Sequence, residues 1–374
     1  MMSVAMPIRE TDIDKLRTSL LDWYDANRRD LPWRRTRDPY AIWASEVMLQ
    51  QTQVSRVAEY WPRFLERFPT LRALADASED DVLAAWSGLG YYRRARMLRS
   101  AARVVVDEFG GSLPRSAPDL RRLPGVGAYT SAAVASIGFG EAVPAVDANA
   151  ARVLARIAGL RGDVSRASSR RAVESDARRL IDTERPGDFN QAVMELGALV
   201  CTPTAPECAG CPVARFCVAG KSRDPASYPG PVAAQRTVAL REAVAVVMKG
   251  EAVLLGRQEH ERGWWEGLWT LPRSPLKPAD DPVEMLSGAL RERFGVECRF
   301  TGAPAERRYS VTKHRVTALA FGGAWVSGRA RRSSSARWVP DYELPLIGVP
   351  APDRAILGDL TGSGESPRGR RRPS

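Results

Sequence analysis

The chain has 374 residues, enough for two domains with separate cores, and its 44% hydrophobic and 26% charged residues are ordinary for a soluble globular protein. Its formal net charge of +11 is not ordinary and favours a polyanionic partner such as nucleic acid. No apolar run approaches a membrane span, the N-terminus lacks a signal-peptide core, and the only histidines are His260 and His314, which excludes His-based triads from the first two-thirds. A cytosolic protein facing DNA or RNA is the expectation.

Asp12 is placed to cap a first helix, whose apolar residues Ile13, Leu16, Leu20 and Trp23 recur at helical spacing before LPWRR (31–35) breaks it. A second helix, over about 40–50, holds Glu46 among Trp43, Val47, Met48 and Leu49. Apolar surroundings strip a carboxylate of hydration and favour its protonated form, which suits a general acid. A glutamate on the solvated face of an amphipathic helix is the plainer alternative. Val54, Val57, Trp61, Phe64 and Phe68 then form a core stripe. At 88–92 two glycines make a tight turn that ends in Tyr91 and Tyr92, and a helix follows with Arg93, Arg94, Arg96, Arg99 and Arg103. Both a solvated face and a phosphate-contacting edge beside a stacking wedge fit that run.

The chain turns on the block 123–156. Leu123-Pro124-Gly125-Val126-Gly127 precedes a helical run at 129–137. Its glycines permit a tight turn and close approach to a ligand, and the free N–H groups of the following helix favour a phosphate. Val146-Asp147-Ala148-Asn149 then sets a carboxylate just before a helix carrying Leu154 and Ile157. Two ordinary turns capped by Gly and Asp are the competing account. Helices over 170–181 and 189–200 complete an all-α region without a convincing strand. Cys201, Cys208, Cys211 and Cys217 follow as C-x6-C-x2-C-x5-C, with Pro203, Pro206 and Pro212 stiffening the loop. Four thiols so close in a cytosolic protein point to a metal site, either tetrahedral zinc or a four-iron cluster.

After a Pro/Ser/Ala-rich linker (221–238) the pattern changes. Two apolar runs flank Lys249-Gly250 as a hairpin, 283–294 reads as helix, and 308–311, 316–325 and 336–339 read as strands. The expected division is an all-α domain at 8–220 that includes the cysteine loop 201–217, an α+β domain at 239–355, and a disordered basic tail at 356–374.

Five stretches carry a resemblance: SEVMLQQTQV (45–54), GLGYYRRAR (88–96), LPGVGAYT (123–130), VDANAARVLAR (146–156) and the four-cysteine loop. In this order they resemble the helix-hairpin-helix DNA glycosylases with an iron–sulfur cluster, and among them the adenine DNA glycosylase (MutY) family, over about 16–339. The resemblance implies a helix-hairpin-helix glycosylase domain with a [4Fe–4S] loop followed by a smaller α+β Nudix-like domain. It implies a base excision repair enzyme, monomeric, cytoplasmic and nucleoid-associated. Such an enzyme hydrolyses the N-glycosidic bond of adenine paired with 8-oxoguanine or G in double-stranded DNA.

By the same resemblance Cys201, Cys208, Cys211 and Cys217 hold the cluster. Glu46 protonates the departing adenine, and Asp147 stabilises or traps the sugar cation, with Tyr129 and Asn149 around it. Gln51 and Tyr91 wedge into the duplex. Leu123, Gly125, Val126 and Gly127 grip a phosphate, with a monovalent cation at the hairpin. Glycosidic cleavage needs a proton on the base and negative charge near the oxocarbenium, so Glu46 is expected to hold its proton and Asp147, at a helix N-terminus, to stay ionised. The endonuclease III type carries a lysine where this chain has Tyr129. A phenol cannot form an imine, so hydrolysis without efficient strand cleavage is expected.

In the second domain GLWTLP (267–272) fits the Nudix-like pattern, whereas 289–295 (ALRERFG) lacks the adjacent glutamates of true Nudix hydrolases, so no pyrophosphatase activity is expected. The lesion-reading loop corresponds to Val311-Thr312-Lys313. Thr312 keeps a hydroxyl, the aromatic and histidine of the family loop are replaced, and His314 stands one place on. Because adenine is a normal base, discrimination has to come from the opposite strand. The alternatives are a mismatch-specific thymine or oxidised-pyrimidine glycosylase on the same scaffold, and a non-catalytic mismatch binder.

Overall fold

The structure is a computed structural model that describes residues 8–231, 236–257, 264–330 and 336–362; His260 and the tail 363–374 lie outside them. Along the chain come α1 (Glu10–Asn27), α2 (Pro39–Leu49), α3 (Val54–Arg67), α4 (Leu71–Asp76), α5 (Glu79–Ala85), α6 (Arg93–Glu108), α7 (Ala117–Leu120), α8 (Ala128–Phe139), α9 (Ala148–Ala158), α10 (Ala167–Leu180) and α11 (Pro186–Leu199). The strands β1 (Val238–Lys249), β2 (Ala252–Arg257), β3 (Trp269–Thr270) and β4 (Arg273–Pro275) follow, then α12 (Pro282–Ala289), β5 (Val296–Val311), β6 (His314–Gly328), β7 (Ala336–Pro340) and α13 (Ala351–Thr361).

Two compact units result. One holds the chain up to Asp76 together with Met97–Ala234, and the other holds Ala77–Arg96 together with the chain from Gln235 on. The division falls inside α6. Residues 77–96 read as part of the helical domain in sequence, yet polar bonds tie them to the second unit. Ser87 Oγ donates to the Val349 carbonyl at 3.1 Å, Arg257 bonds Asp80 at 2.8 Å, and Arg96 bonds Glu266 at 2.9 Å.

The first unit is helical, as expected. Its larger core joins α1, α9, α10 and α11 through residues such as Leu16, Leu20, Val153, Leu154, Val173 and Leu196. A smaller cluster of Ile42, Ala132, Ala133, Ile137 and Ala145 joins α2 to α8. Helix α2 starts sharply because Asp38 accepts from the Tyr40 N–H and Pro39 occupies the first helical position. It is buried all round from Tyr40 to Met48, so no solvated face exists on it. Gly140 and Gly159 end α8 and α9 in the left-handed conformation. Asp12 does not cap α1: the helix starts two residues earlier, after Arg9, and Asp12 accepts from Lys15 in the first turn.

The second unit is built on a mixed seven-stranded sheet, ordered β3-β2-β1-β6-β5, with β4 on β1 and β7 on β2. The hairpin β1–β2 is antiparallel and β1 runs parallel to β6. Both faces of β1 are covered, which explains its unbroken apolar run. Val244 and Val246 face a cluster that includes Ile356 and Leu357 of α13, while Ala243, Ala245 and Val247 face Leu286 of α12 with Leu290 and Phe294. Residues 356–361, expected in a disordered tail, are therefore helical, because Ile356 and Leu357 insert into this core.

Candidate active site

Three helices of the first unit bring the chemistry together. Glu46, on the third turn of α2, is only 6% exposed. The hairpin 123–127 delivers Tyr129 to the first turn of α8, and its hydroxyl donates to Glu46 Oε2 at 2.6 Å. Met194 of α11 sets its sulfur 3.5 Å from the same hydroxyl. Burial raises the Glu46 pKa to about 7; the Tyr129 bond opposes the rise, the nearby Asp147 charge adds to it, and Arg34 opposes it. Burial also pushes the Tyr129 phenol well above its ordinary value, reinforced by Glu46, so it remains a hydrogen-bond donor.

Asp147 is the N-cap of α9. Its Oδ1 accepts from the Ala150 N–H at 2.7 Å, and Asn149 Nδ2 lies 3.4 Å from its Oδ2. Burial raises its pKa, against the pull of the Ala150 and Asn149 N–H groups and of Arg152. The helix end thus moderates an upward shift; it does not produce a downward one. A buried acid poised near neutrality and a capped carboxylate at a helix N-terminus are the parts needed to protonate a leaving group and to face developing positive charge.

A chain of bonds runs from Asp147 to the cysteine loop. Arg152 donates to Asn149 Oδ1 at 2.9 Å and to the Cys201 carbonyl at 2.9 Å. Arg156, buried on the next turn, donates to the carbonyls of Thr202, Pro203 and Tyr228 and lies 3.3 Å from Cys201 Sγ. All four cysteines line one small apolar cavity with Val153, Leu196 and Val213. Among the described residues no group of three or more His, Cys, Asp or Glu side chains is close enough to hold a metal ion. Burial pushes the thiols of Cys208, Cys211 and Cys217 up, a cost that binding to cationic iron or zinc would reverse. An all-thiol donor set around a small apolar cavity, with a guanidinium at one sulfur, fits an iron–sulfur cluster and also fits zinc.

Of the DNA-facing candidates, Gln51, Tyr91 and Thr312 have φ of 56°, 49° and 52°, the only described residues other than glycine in that left-handed region. Strained backbone of this kind gathers at functional sites. Tyr91 is 44% exposed, with the Arg94 guanidinium 5.6 Å from its ring. Gly125 has a φ of 74°, and a Cβ there would sit 2.5 Å from Met97 Cβ, so the turn between Leu123 and Val126 requires glycine. No side chain caps α8, and its first N–H groups stay open to an anion beside Gly127. Tyr91 and Thr312 belong to the second unit. Thr312 sits in the turn between β5 and β6, with Oγ1 3.3 Å from His314 Nδ1. Neither account of the arginine run on α6 covers the partly buried Arg94 and Arg96, which bond Leu89 and Glu266, while the exposed Arg103 bonds the Ala75 carbonyl.

Glu195 on α11, with Arg29 and Arg34, is absent from the sequence-based candidates. Glu195 is 1% exposed and accepts from the Arg29 backbone N–H at 2.8 Å and from both guanidiniums at 2.7–3.0 Å. Burial alone would raise its pKa; the hydrogen bonds from Arg29 and Arg34 overcome that and hold it at about 2. On the helix Glu195 falls well off the apolar stripe Phe189, Val193, Leu196, so the sequence offered no local signal, and its partners lie more than 160 residues away.

Residues 44–181 match the HhH-GPD superfamily of base excision DNA repair proteins, and residues 243–359 match the NUDIX domain. An adenine DNA glycosylase of Homo sapiens is 50% identical over 215 residues, 55% of this chain and 39% of that protein. One from Buchnera aphidicola subsp. Schizaphis graminum is 34% identical over 264 residues, 69% of this chain and 74% of that protein. The chain spans about two-fifths of the length of the mammalian relatives it matches. The solved structure of a thermostable thymine-DNA glycosylase is similar at 29% identity and a TM-score of 0.50, covering 56% of this chain and 96% of that one.

Proposed function

Since the chain belongs to the adenine DNA glycosylase family, we propose that it hydrolyses the N-glycosidic bond of adenine mispaired with 8-oxoguanine or G in double-stranded DNA. The observation that carries this reading is the buried 2.6 Å pair of Tyr129 and Glu46, with Asp147 capped close enough for its charge to be felt at Glu46. Glu46 gives its proton to a ring nitrogen of the extruded adenine, the C1′–N bond breaks, and its electron pair leaves with the base. Asp147, ionised, stabilises the sugar cation. Water then adds at C1′ to leave an abasic site, and its proton passes to Glu46, which the protonation of adenine left ionised. Asn149 and Arg152 orient Asp147 and oppose its protonation.

Tyr129 cannot form an imine with the sugar, so the reaction ends at hydrolysis without efficient strand cleavage. Leu123, Gly125, Val126 and Gly127 present backbone N–H groups to a phosphate, with a monovalent cation at the hairpin, and Gln51 and Tyr91 enter the opened duplex. Thr312, beside His314, contributes to reading the base opposite adenine. Cys201, Cys208, Cys211 and Cys217 would hold a [4Fe–4S] cluster, which would tie the four thiolates of the loop together, and Arg152 and Arg156 join that loop to α9. The protein acts as a monomer.

The test is incubation with a duplex carrying one A opposite 8-oxoguanine, with assay for free adenine and a denaturing gel run with and without hot alkali. Adenine release with strand breakage only after alkali is expected. Breakage without alkali, from protein freed of contaminating lyases, rejects the monofunctional step. The likeness to a thymine-DNA glycosylase calls for a G:T duplex in parallel, and release of thymine in place of adenine rejects the substrate.

A further inference from the structure

One face of α11 carries Gly187, Asn190, Met194 and Gly197, spaced three, four and three residues. It lies against both helices that hold the proposed site. A Cβ at Gly187 would be 2.7 Å from Ile137 Cα of α8, and one at Gly197 would be 2.8 Å from Asn149 Cβ at the start of α9. Close approach at both ends therefore requires glycine, and Met194 touches the Tyr129 hydroxyl between them.

Asn190 is the polar group of that face, 4% exposed. Its Nδ2 donates to Ser136 Oγ at 2.8 Å and to the Val143 carbonyl at 2.9 Å, while its Oδ1 accepts from the Ala145 N–H at 3.0 Å. Both of its amide protons are used, and nothing in the proposed chemistry has so far needed it. Residues 140–147, which link α8 to Asp147, form neither helix nor strand. Within this connector the backbone bonds Glu141 N–H to Ala135 O and Val143 N–H to Glu141 O stop short of Ala145. Asn190 therefore holds the connector four and two residues before Asp147, and two anchor points so close set the direction in which the chain enters α9. Its third partner, Ser136, stands two turns along the same helix as Tyr129. One carboxamide thus ties the helix of the phenol to the connector of the carboxylate.

We propose that Asn190 is a positioning residue for base release, its carboxamide holding Asp147 at the reacting distance from the Glu46–Tyr129 pair. The proposal rests on the glycosylase reading above. Loss of the clamp leaves the Ala145 N–H and Val143 carbonyl without their partner and frees the approach to Asp147, and misplacement of a reacting group by about 1 Å can cost about 10²-fold in rate.

The experiment compares wild type with Asn190→Leu, Asn190→Asp, Ser136→Ala and, as a control for a plain core defect, Val173→Ala. It measures single-turnover adenine release at saturating enzyme, scaled by the active fraction from burst amplitude, alongside affinity for an uncleavable duplex and thermal midpoint. Asn190→Leu is expected to slow release about 10²-fold while duplex affinity stays within about twofold. Asn190→Asp, which keeps the acceptor for Ala145, should recover part of the rate. Ser136→Ala should lose severalfold. Val173→Ala should lower the thermal midpoint and leave the rate unchanged. Wild-type rates in folded Asn190→Leu overturn the proposal; if that variant does not fold, wild-type rates in both Asn190→Asp and Ser136→Ala overturn it. A wild-type protein that releases no adenine in the same assay rejects the glycosylase reading instead, before any variant is compared.

Discussion

Glu46 and Glu195 are both buried in the first unit, and their environments drive them in opposite directions. Glu46 on α2 has one short partner, the Tyr129 hydroxyl, and burial carries its pKa to about 7. Glu195 on α11 is likewise shut off from solvent, yet Arg29 and Arg34 hold its pKa at about 2. Burial by itself therefore does not decide protonation. The number and charge of the donors does, and the two residues divide into a proton reservoir and a permanent anion that fixes Arg34 near the reservoir.

The largest effect should come from destroying the reservoir. Glu46→Gln is expected to slow base release by about 10³-fold, within the span attributed to general acids, and single-turnover adenine release measures it. A variant that keeps a tenth of the wild-type rate would remove Glu46 from the reaction. Destroying the anion should instead harm the fold. Glu195→Gln strands two guanidiniums and should destabilise the protein by about 3 kcal/mol, the low end for a broken buried pair because Arg29 reaches solvent. Urea unfolding reads this, and an unchanged midpoint would contradict it.

The pH dependence of stability sharpens the contrast further. The folded pKa of Glu46 is raised from 4.5 to about 7, so the fold holds the extra proton and stability falls as pH rises through that window, by about 3 kcal/mol in total. Glu46→Gln lacks this loss, and its advantage over wild type should grow between pH 4.5 and 7 and level off above. Glu195 has the opposite sign: its lowered pKa contributes fully above 4.5, and that contribution is lost as pH falls towards 2. Unfolding at a series of pH values tests both windows, and a Glu46→Gln difference that is flat with pH would remove the first. The smallest effect belongs to Tyr129→Phe. Without the phenol Glu46 keeps its proton to higher pH, so the alkaline limb of the rate profile, near 7 in wild type, should move upward while the rate below it falls by up to about tenfold. A limb that moves downward would show that the phenol does not act on Glu46 in this way.

Much of the site was legible because its parts are local. Glu46 could be singled out by apolar neighbours in its own helix, Asp147 by its place before α9, and the cysteines by their spacing. Glu195 could not: what distinguishes it from an ordinary helix residue is a pair of arginines more than 160 positions earlier. Asn190 escaped notice for the same reason, since its partners belong to α8 and the connector. In the second unit the strand over 308–311 is the end of β5, which begins at Val296. Its first half alternates exposed with half-buried positions and slips register between Thr301 and Ala305, so no apolar run announces it.

Periodicity, turn chemistry and cysteine spacing determined by themselves an all-α first region, an α+β second region and a loop of four neighbouring thiols, since each depends on neighbours within a few positions; the roles expected of Glu46 and Asp147 came from the family resemblance. Tertiary structure alone decided three things. It assigned residues 77–96 to the second unit, through Ser87, Asp80 and Arg96. It paired β1 in parallel with β6 across some seventy residues. And it gave Glu46 and Glu195 their opposite protonation, because a buried carboxylate takes its pKa from the groups that packing brings to its oxygens, wherever in the chain they lie.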